Sequence, residues 1–319
     1  MSTREPIIFK QIILIKPAPI VLFVYNRPEH TKRTLDALAA NHLAAESELF
    51  IYIDGIKPGS ASKDIQNNQQ VKMIANAENR FKQLAVIESP DNKGLARSII
   101  EGVTNTLELF DRVIILEDDL VTSQHFLNFL NDALELYQHD DKVACISGYI
   151  YPVQETLPET FFLKGADCWG WATWKRAWKI FEQDGKKLLE QLSKPNILHD
   201  FNFFDSYPYL KMLEDQIAGK NSSWAIRWYA SAYLHGKLCL YPSQSFVHNI
   251  GFDGTGTHSG KRNFWQGEGM TGKLHLARIK TEEDRNAKMT IANYFKMIRK
   301  KSLVGHVKNL VNGMLRKFS

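Results

Sequence analysis

Cysteine is scarce in this chain, which has three in 319 residues: Cys145, Cys168 and Cys239. They lie far apart, show no zinc-ligand spacing and cannot all pair. This pattern excludes a disulfide-rich secreted scaffold and a structural zinc module. We therefore expect reduced thiols in a cytoplasmic protein.

Long apolar runs are also missing. No run reaches the roughly 18–20 residues that a membrane-spanning helix requires. Glu5, Lys10 and Lys16 interrupt the N-terminal segment, so we expect no signal peptide there. Apolar residues make up 44% of the chain and charged residues 24%, which excludes a disordered, collagen-like or coiled-coil protein.

Acidic side chains are absent from residues 285–319, which carry nine Lys or Arg. The rest of the chain holds 31 basic and 35 acidic residues, and this mildly acidic body argues against a nucleic-acid partner. Apolar residues recur through the tail at approximate helical spacing, from Ile291 to Phe318. The tail therefore predicts a basic amphipathic helix that contacts an anionic membrane surface. The alternative is a helix that packs on the domain with a solvated basic face.

The first half of the chain alternates strand and helix patterns. Continuous apolar or strand-like runs occur at 19–25, 49–53, 84–87 and 113–116. Helical patterns separate them, including a polar helix at about 63–80. This order predicts an α/β fold with a mostly parallel sheet flanked by helices. In such sheets, ligands bind beyond the carboxyl ends of the strands.

The second half is less regular, dense in tryptophan and rich in glycine near 251–260. We find no internal repeat and no long linker before about residue 275. We expect one domain over 1–275, with a nucleotide-binding half at about 18–150 and an acceptor half at about 151–275. The basic amphipathic extension would then cover 276–319.

Three adjacent carboxylates, Glu117, Asp118 and Asp119, end the fourth predicted strand. They repel one another, and a divalent cation would offset that repulsion. Hard oxygen ligands suit Mg²⁺ or Mn²⁺, which complete their coordination with substrate phosphates and water. At this edge of a parallel sheet the triplet predicts a metal site. The alternative is a solvated acidic turn that caps the next helix.

The segment ILEDDLVTSQHFLNFL resembles the DxD-type motif of GT-A glycosyltransferases. The resemblance is strongest to the N-acetylglucosaminyltransferase I-like branch and to bacterial sugar transferases related to it. Further segments are similar to family elements in matching order: VLFVYNRPEHTKRTLDAL, YIDG, DNKGLARSIIEGV and GADCWGWATWKRAW. The resemblance covers roughly residues 18–260 and implies a GT-A fold, a nucleotide-sugar donor and Mn²⁺ or Mg²⁺ as cofactor.

The resemblance also implies roles for matching positions. The implied donor-binding residues are Tyr25, Arg27, Asp54, Arg97, Glu117 and Asp118. Arg27 would meet the diphosphate or base, Asp54 the uracil or ribose, and Asp119 would ligate the metal directly. Arg97 would lie near the nucleotide or hold its loop. From the residues alone, the two arginines also read as surface residues, and Asp54-Gly55 as a turn.

One departure from the family concerns its catalytic carboxylate, which lies between two tryptophans. The matching stretch here, SWAIRW at 223–228, contains no acid. An inverting reaction still requires a base, because the acceptor hydroxyl loses its proton as it attacks the anomeric carbon. We expect this base to be Asp253 or Asp167. Otherwise both serve as turn or helix-cap residues.

The stretch HNIGFDGTGTHSG at 248–260 has four glycines within 251–260, which suits a lid that closes on ligand. The resemblance implies a C-terminal histidine at the metal or diphosphate, and we expect His258 there rather than in a solvated loop. Flat aromatic faces stack on pyranose rings. We therefore expect Trp169 and Trp171 to contact the acceptor, and most other tryptophans to lie in the core.

These observations favour a cytoplasmic glycosyltransferase, peripheral at the inner membrane face. It would move a sugar from a nucleotide-sugar, expected to be a UDP-sugar, to a glycan or lipid-linked acceptor in cell-surface polysaccharide or lipopolysaccharide synthesis. Inversion is implied by the resemblance. One alternative is a sugar-phosphate nucleotidyltransferase, but VYNRPEH lacks the Gly-rich phosphate signature expected after the first strand. The other is a non-catalytic GT-A-like glycan-binding or scaffold protein, which the missing acid favours.

Overall fold

The computed structural model describes residues 16–193, 195–253, 265 and 273–315, with the backbone alone at 195–196 and 302–315. Strands and helices alternate at the start of the chain. They are β1 (Ile20–Val24), α1 (Pro28–Ala39), β2 (Glu48–Ile53), α2 (Ser62–Asn76), β3 (Gln83–Glu88), α3 (Leu95–Leu109) and β4 (Arg112–Glu117). The four predicted strands are confirmed to within one residue at each end.

The rest of the chain adds shorter elements. They are β5 (Leu120–Thr122), α4 (Phe126–Leu136), β6 (Val143–Ser147), β7 (Thr160–Lys164), β8 (Trp171–Trp174), α5 (Lys175–Trp178), α6 (Gly185–Leu192), α7 (Pro195–Phe201), α8 (Tyr209–Ile217), α9 (Trp224–Leu234), β9 (Leu238–Pro242), β10 (Val247–Asn249) and α10 (Arg285–Leu315). Strands five to ten here carry weaker sequence patterns than the first four, since several have only three or four residues.

An eight-stranded sheet runs in the order β3-β2-β1-β4-β8-β6-β9-β7. The pairs β1–β2, β2–β3, β1–β4 and β6–β9 are parallel, and the pairs that involve β8 or β7 are antiparallel. The expected α/β fold with a mostly parallel sheet flanked by helices is confirmed. Phe23 of β1 pairs with Tyr52 of β2 and Glu117 of β4, so these three strands end at one edge.

Burial follows the pattern expected for each strand. All five residues of β1 are buried, because helices cover both faces of the central sheet. The face of α3 that carries Ile99, Val103 and Leu107 is buried against this sheet. Trp171, Trp178, Trp224 and Trp228 form one buried aromatic cluster, which confirms that most tryptophans lie in the core.

The start of α10 is part of the domain rather than a separate extension. Ile291, Phe295 and Ile298 are buried in the main core, and the approach segment 274–279 packs against it. Lys288, one of the nine basic residues of the tail, is also buried and pairs with Asp200 and Glu283. The first half of the predicted extension therefore packs on the domain, because protein covers the apolar stripe of this half of the helix.

Two predictions concern features that the sequence was expected to lack, a membrane-spanning helix and disulfide bonds. Within the described residues, no helix is both long and apolar enough to cross a bilayer. Cys145, Cys168 and Cys239 are all unpaired thiols.

Candidate active site

A cleft of about 410 Å³ opens where β1, β2 and β4 end. Arg27 reaches it from the segment after β1, Asp54 from the segment after β2, and residues 117–119 from the end of β4. Parallel strands bring these three segments together because their carboxyl ends share one edge. The cleft therefore lies where the sequence predicted a ligand site.

A larger cavity, of about 730 Å³, lies at the opposite end of the sheet. Its lining includes Pro17, which precedes β1, one face of α4 and residues 273–276. None of the predicted site residues within the described chain lines it. The smaller cleft is therefore the candidate site.

Arg27 lies against two of the three carboxylates of the acidic triplet. Its Nη2 donates to Asp118 Oδ1 and, at 3.0 Å, to Asp119 Oδ2, while its Nε donates to Asp118 Oδ2 at 3.2 Å. Thr34 of α1 donates its hydroxyl to the carbonyl oxygen of Asp118 at 2.7 Å. Because Pro28 begins α1 directly after Arg27, the helix holds both the cation and the acidic loop.

The charges of this cluster shift one another's pKa values. Burial disfavours the charged guanidinium of Arg27, but Asp118 and Asp119 outweigh burial and raise its pKa. Burial raises the pKa of Glu117, and the neighbouring Asp119 and Asp118 raise it further. The pKa of Asp118 is also raised by burial, although Arg27 opposes this. The site therefore concentrates negative charge that requires a cationic partner.

The residues fit a divalent cation of the kind that substrate phosphates help to bind. Asp118 and Asp119 converge on a single positive group, Nη2 of Arg27, and both offer hard oxygen atoms. Among the described residues, no group of three His, Cys, Asp or Glu side chains is placed to hold a metal ion. Mg²⁺ and Mn²⁺ sites of one or two carboxylates plus phosphates match this donor set.

A two-stranded ribbon of β5 and β10 supports Asp119 from the second half of the chain. After the ribbon, the Ile250 amide donates to the carbonyl oxygen of Asp119 at 2.8 Å. A Cβ on Gly251 would lie 2.4 Å from Asp119 Oδ2, so only glycine leaves room for this carboxylate. The tertiary fold thus makes Gly251 part of the site wall.

Asp253 lies at the rim of the cleft. Its Oδ2 is 3.2 Å from His30 Nε2, and its side chain is 43% exposed. His30 Nε2 also lies 3.3 Å from the carbonyl oxygen of Ile250. Asp253 follows Gly251 and Phe252, which line the cleft, but it is not itself one of the lining residues, and His258 lies outside the described residues.

Asp54 lines the cleft, but both of its carboxylate oxygens already accept hydrogen bonds. The backbone amides of Lys93 and Gly94 donate to it at 2.7 and 2.9 Å, and the Asn92 side chain donates at 2.9 Å. Gly55 lets the two loops approach, because a Cβ there would lie 2.5 Å from the Asp91 carbonyl carbon. Asp54 thus anchors the loop that starts α3.

Of the two remaining donor candidates outside the acidic triplet, one lines the cleft and one does not. Tyr25 is half-buried in the cleft wall. Arg97 has a side chain that is 68% exposed and pairs with Glu101 at 2.5 Å. Its expected place near the nucleotide is corrected, because its position in the first turn of α3 points it away from the cleft lining.

The two tryptophans expected to contact the acceptor differ in burial. Trp169 lines the cleft and makes edge contacts with Phe252 and Tyr149 at ring separations of 5.9 and 4.6 Å. Trp171 is 0% exposed and packs against Trp224 and Trp228. The expectation for Trp171 is therefore corrected, since a fully buried ring leaves no face for a sugar.

Asp167 is half-buried and is not among the residues that line the cleft. It accepts hydrogen bonds from the amide of Cys168 at 2.6 Å and from the hydroxyl of Tyr241 at 3.1 Å. The Trp169 amide and the Tyr151 hydroxyl lie at 3.4 Å. Burial raises the pKa of Asp167, against the effect of these hydrogen bonds. Asp167 therefore holds the backbone that carries Trp169, and its expected role as catalytic base stays a prediction.

Several cleft residues had not been predicted from the sequence. They are Asn26, Lys57, Asn92, Asn249, Gly251 and Phe252. Asn92 follows the third strand and precedes a helix, a position that could have indicated this edge of the sheet. Asn249 and Gly251 belong to the glycine-rich stretch 248–260 that predicted a lid, but their place at the acidic triplet depends on pairing of β10 with β5.

No family model matches the chain, and no curated protein matches it in sequence. Solved structures do resemble it. A mannosyltransferase from Pyrobaculum calidifontis, in complex with GDP-Man and Mn²⁺, is 13% identical, with a TM-score of 0.37 over 70% of this chain and 71% of its own. Glucosyl-3-phosphoglycerate synthase from Mycobacterium tuberculosis, with Mn²⁺ and UDP, is 11% identical, with a TM-score of 0.31 over 52% of this chain and 58% of its own.

A third similar structure is 4-diphosphocytidyl-2C-methyl-D-erythritol synthase from Anaerococcus prevotii. It is 13% identical, with a TM-score of 0.35 over 59% of this chain and 83% of its own. Identities and TM-scores at this level establish no activity, substrate or metal requirement for the present chain.

Proposed function

We propose that the chain is a GT-A-type glycosyltransferase whose nucleotide-sugar donor, a UDP-sugar, occupies the cleft. One observation carries this proposal: Arg27, Asp118 and Asp119 converge at the shared carboxyl edge of β1 and β4. A diphosphate needs cationic contacts, and the paired acids suit a cation that accompanies it. The sequence resemblance to GT-A transferases supports the same assignment.

Each residue of the cluster has a proposed task. Arg27 would contact the diphosphate, and Asp119 would hold Mn²⁺ or Mg²⁺. Asp118 would orient Arg27 through the hydrogen bonds that its carboxylate accepts from the guanidinium. The cation, when bound, would neutralise the charge of the departing diphosphate. The base and ribose would lie along Tyr25 and the segment after β2.

We propose Asp253 as the base that takes the acceptor proton in an inverting reaction. Its carboxylate is partly exposed and follows directly after Phe252, whose ring contacts Trp169. These two rings would contact the acceptor sugar. Asp253→Asn should abolish transfer and leave donor affinity nearly unchanged, because this group would act on the acceptor alone. Equal loss of donor binding would refute the assignment.

The acceptor is proposed to be a glycan or lipid-linked saccharide in cell-surface polysaccharide or lipopolysaccharide synthesis, met at the inner membrane face. Lys296, Arg299, Lys300 and Lys301 are exposed on α10 and could contact anionic lipid. The double variant Lys300→Glu/Lys301→Glu should then reduce co-sedimentation with anionic vesicles. Unchanged co-sedimentation would refute the contact.

The test of the main proposal is a thermal-shift series with UDP-N-acetylglucosamine, UDP-glucose and GDP-mannose, each with and without Mn²⁺. A bound ligand stabilises the native state, so a donor should raise Tm, and Mn²⁺ should increase the rise. Asp119→Asn should lose the Mn²⁺-dependent part. Asp141→Asn, at a side chain 89% exposed, is the matched control and should behave as wild type.

Product analysis separates the alternatives. With a nucleotide-sugar donor and a saccharide acceptor, a glycosyltransferase releases UDP. With UTP and a sugar 1-phosphate, a nucleotidyltransferase releases pyrophosphate. A binding protein releases neither product in either mixture. If no nucleotide-sugar raises Tm, or if Asp119→Asn responds as wild type does, the proposal is wrong.

A further inference from the structure

Arg227 of α9 is a buried cation that lacks an acidic partner. The residue is 8% exposed, and its Nε and Nη1 donate to the carbonyl oxygens of Ser223 and Gln183 at 3.2 and 3.1 Å. Among the described residues no carboxylate pairs with it, and its Nη2 has no hydrogen-bond acceptor there but is not one of the buried unpartnered atoms, so this nitrogen is accessible to solvent. Burial lowers the pKa of Arg227, and no neighbouring acid counters this. A buried charge of this kind is costly without a counter-ion.

Arg227 lines a cavity of about 310 Å³. Lys93 and Arg97, from the loop and first turn of α3, also line it. The acid in this lining is Glu101, which pairs with Lys93 at 2.7 Å and with Arg97 at 2.5 Å. Three cations and one carboxylate thus line the cavity. Glu101 pairs with Lys93 and Arg97, and the buried Arg227 has no acidic partner.

Arg176, with a side chain 25% exposed, shows how this chain satisfies a part-buried arginine that has only a structural task. Its guanidinium donates to three carbonyl oxygens, those of Tyr137, Gln138 and Val143, at 2.8–2.9 Å. Asp141 also lies 4.0 Å from its Nη1. All three of its nitrogens are bonded, whereas Nη2 of Arg227 is not. The comparison indicates that Arg227 is arranged for a group outside the chain.

The cavity adjoins the candidate active site. Gly94 lines both the cavity and the cleft, and α9, which carries Arg227, packs on α3. A group bound at Arg227 would therefore lie beside a ligand in the cleft.

We propose that this cavity binds an anionic group, a phosphate or a carboxylate, of a substrate that also reaches the cleft. The link to a substrate rests on the proposed function, whereas anion binding at Arg227 does not. The phosphate of a lipid-linked acceptor and the carboxylate of a uronic acid sugar are the two sources of this chemistry.

The experiment titrates the full chain with inorganic phosphate and with glucuronate and follows Tm and binding heat. One of the two anions should bind wild type, and its affinity should fall about tenfold or more in Arg227→Gln. Arg176→Gln is the control, since it also removes a guanidinium that donates to carbonyl oxygens, and it should keep the affinity within about twofold. Binding of phosphate would indicate that the cavity receives the phosphate of a lipid-linked acceptor. Binding of glucuronate would indicate that it receives the carboxylate of a uronic acid sugar.

Two further variants keep the result decisive. Ser222 is exposed and lines the cavity, so Ser222→Asp should block anion binding without a folding defect, even if Arg227→Gln does not fold. Arg27→Gln should retain anion binding, because Arg27 belongs to the cleft. The proposal is overturned if neither anion binds wild type, if Ser222→Asp binds as wild type does, or if Arg27→Gln abolishes binding.

The two proposals fail separately. Binding of UDP to wild type and to Arg227→Gln reports on the cleft. Absence of UDP binding would refute the proposed function and leave anion binding at Arg227 intact. Normal UDP binding without any anion binding would refute only the anion cavity.

Discussion

Two cations, Arg27 and Lys288, each meet a pair of carboxylates, but they lie in regions with different access to solvent. Arg27 joins Asp118 and Asp119 on the wall of an open cleft, with its side chain 20% exposed. Lys288 joins Asp200 and Glu283 between α10 and the body of the domain, with its side chain 1% exposed. The rings of Phe203 and Phe204 also face the ammonium of Lys288, at 5.3 and 5.0 Å.

This difference in exposure distinguishes a ligand-binding site from a structural contact between α10 and the domain. In the cleft, a bound anion can replace the two acids as the partner of Arg27, and its cation can replace Arg27 as the partner of Asp118 and Asp119. Around Lys288, protein already surrounds the charges, so the ion pairs fasten α10 to the domain. Variants of the first cluster should therefore change ligand binding and activity, and variants of the second should change stability.

The largest expected effect is that of Asp119→Ala on transfer. Loss of the proposed metal ligand should lower kcat/KM about a thousandfold, which corresponds to about 4 kcal/mol of transition-state stabilisation. Arg27 keeps its partner Asp118, so the free energy of unfolding should change by less than about 1 kcal/mol. Steady-state kinetics and urea denaturation measure the two quantities. A large loss of stability in Asp119→Ala would contradict the proposed difference between the Arg27 cluster and the Lys288 cluster.

Lys288→Ala should have the reverse profile. Removal of the ammonium leaves Asp200 and Glu283 with Lys164, at 3.3 and 3.9 Å, as their remaining cation, which should lower the free energy of unfolding by about 2 kcal/mol. Lys296→Ala, at an exposed position of the same helix, is the matched control and should change stability by less than about 0.5 kcal/mol. Urea denaturation with equal effects for both variants would show that the buried pairs do not hold α10.

The acid stability of the fold should depend on Asp200. Burial would raise its pKa, but hydrogen bonds from Lys288 and Tyr233 outweigh burial and lower the pKa to about 2. Since this pKa lies below the unfolded value, the ionised carboxylate stabilises the fold above about pH 4, and the stabilisation is lost as pH falls towards 2. The stability difference between wild type and Asp200→Asn should therefore shrink by about 2 kcal/mol over this range. A constant difference by urea denaturation at several pH values would contradict this assignment.

The smallest expected effect is that of Lys32→Ala. Lys32 and Asp36 pair at 2.5 Å on α1, but their side chains are 60% and 45% exposed. Water screens such a pair, so its loss should lower the free energy of unfolding by no more than about 0.5 kcal/mol. A loss comparable to that of Lys288→Ala would show that burial is not what distinguishes the ion pairs of this protein.

The four parallel strands could be predicted because each is a short apolar run between turn residues and amphipathic helices. Residues 113–116 and the triplet after them also predicted an acidic cluster at the ligand-binding edge, and the structure places the triplet there. The short strands β5 and β10 could not be predicted. Each has three residues, and their pairing joins segments more than 120 residues apart.

The predictions that failed concern side chains whose surroundings are set by distant segments. Trp169 and Trp171 are two residues apart and equally aromatic, but one lines the cleft and the other lies at the centre of the tryptophan cluster. The apolar stripe of the tail was read as a membrane-binding face, yet its first half covers the domain core. Amphipathic periodicity identifies a buried face and does not identify what buries it.

The amino-acid sequence by itself determined the α/β order, the position of the acidic triplet and the basic character of the tail. These follow from local patterns of apolar and charged residues, which act over a few turns or one strand. Tertiary structure alone decided that Arg27 pairs with the acids, that Gly251 borders Asp119 and that Arg227 faces a cavity without a counter-ion. The physical reason is that electrostatic partners and steric limits arise from contacts between segments far apart in the chain, and these contacts exist only once the sheet and its covering helices have assembled.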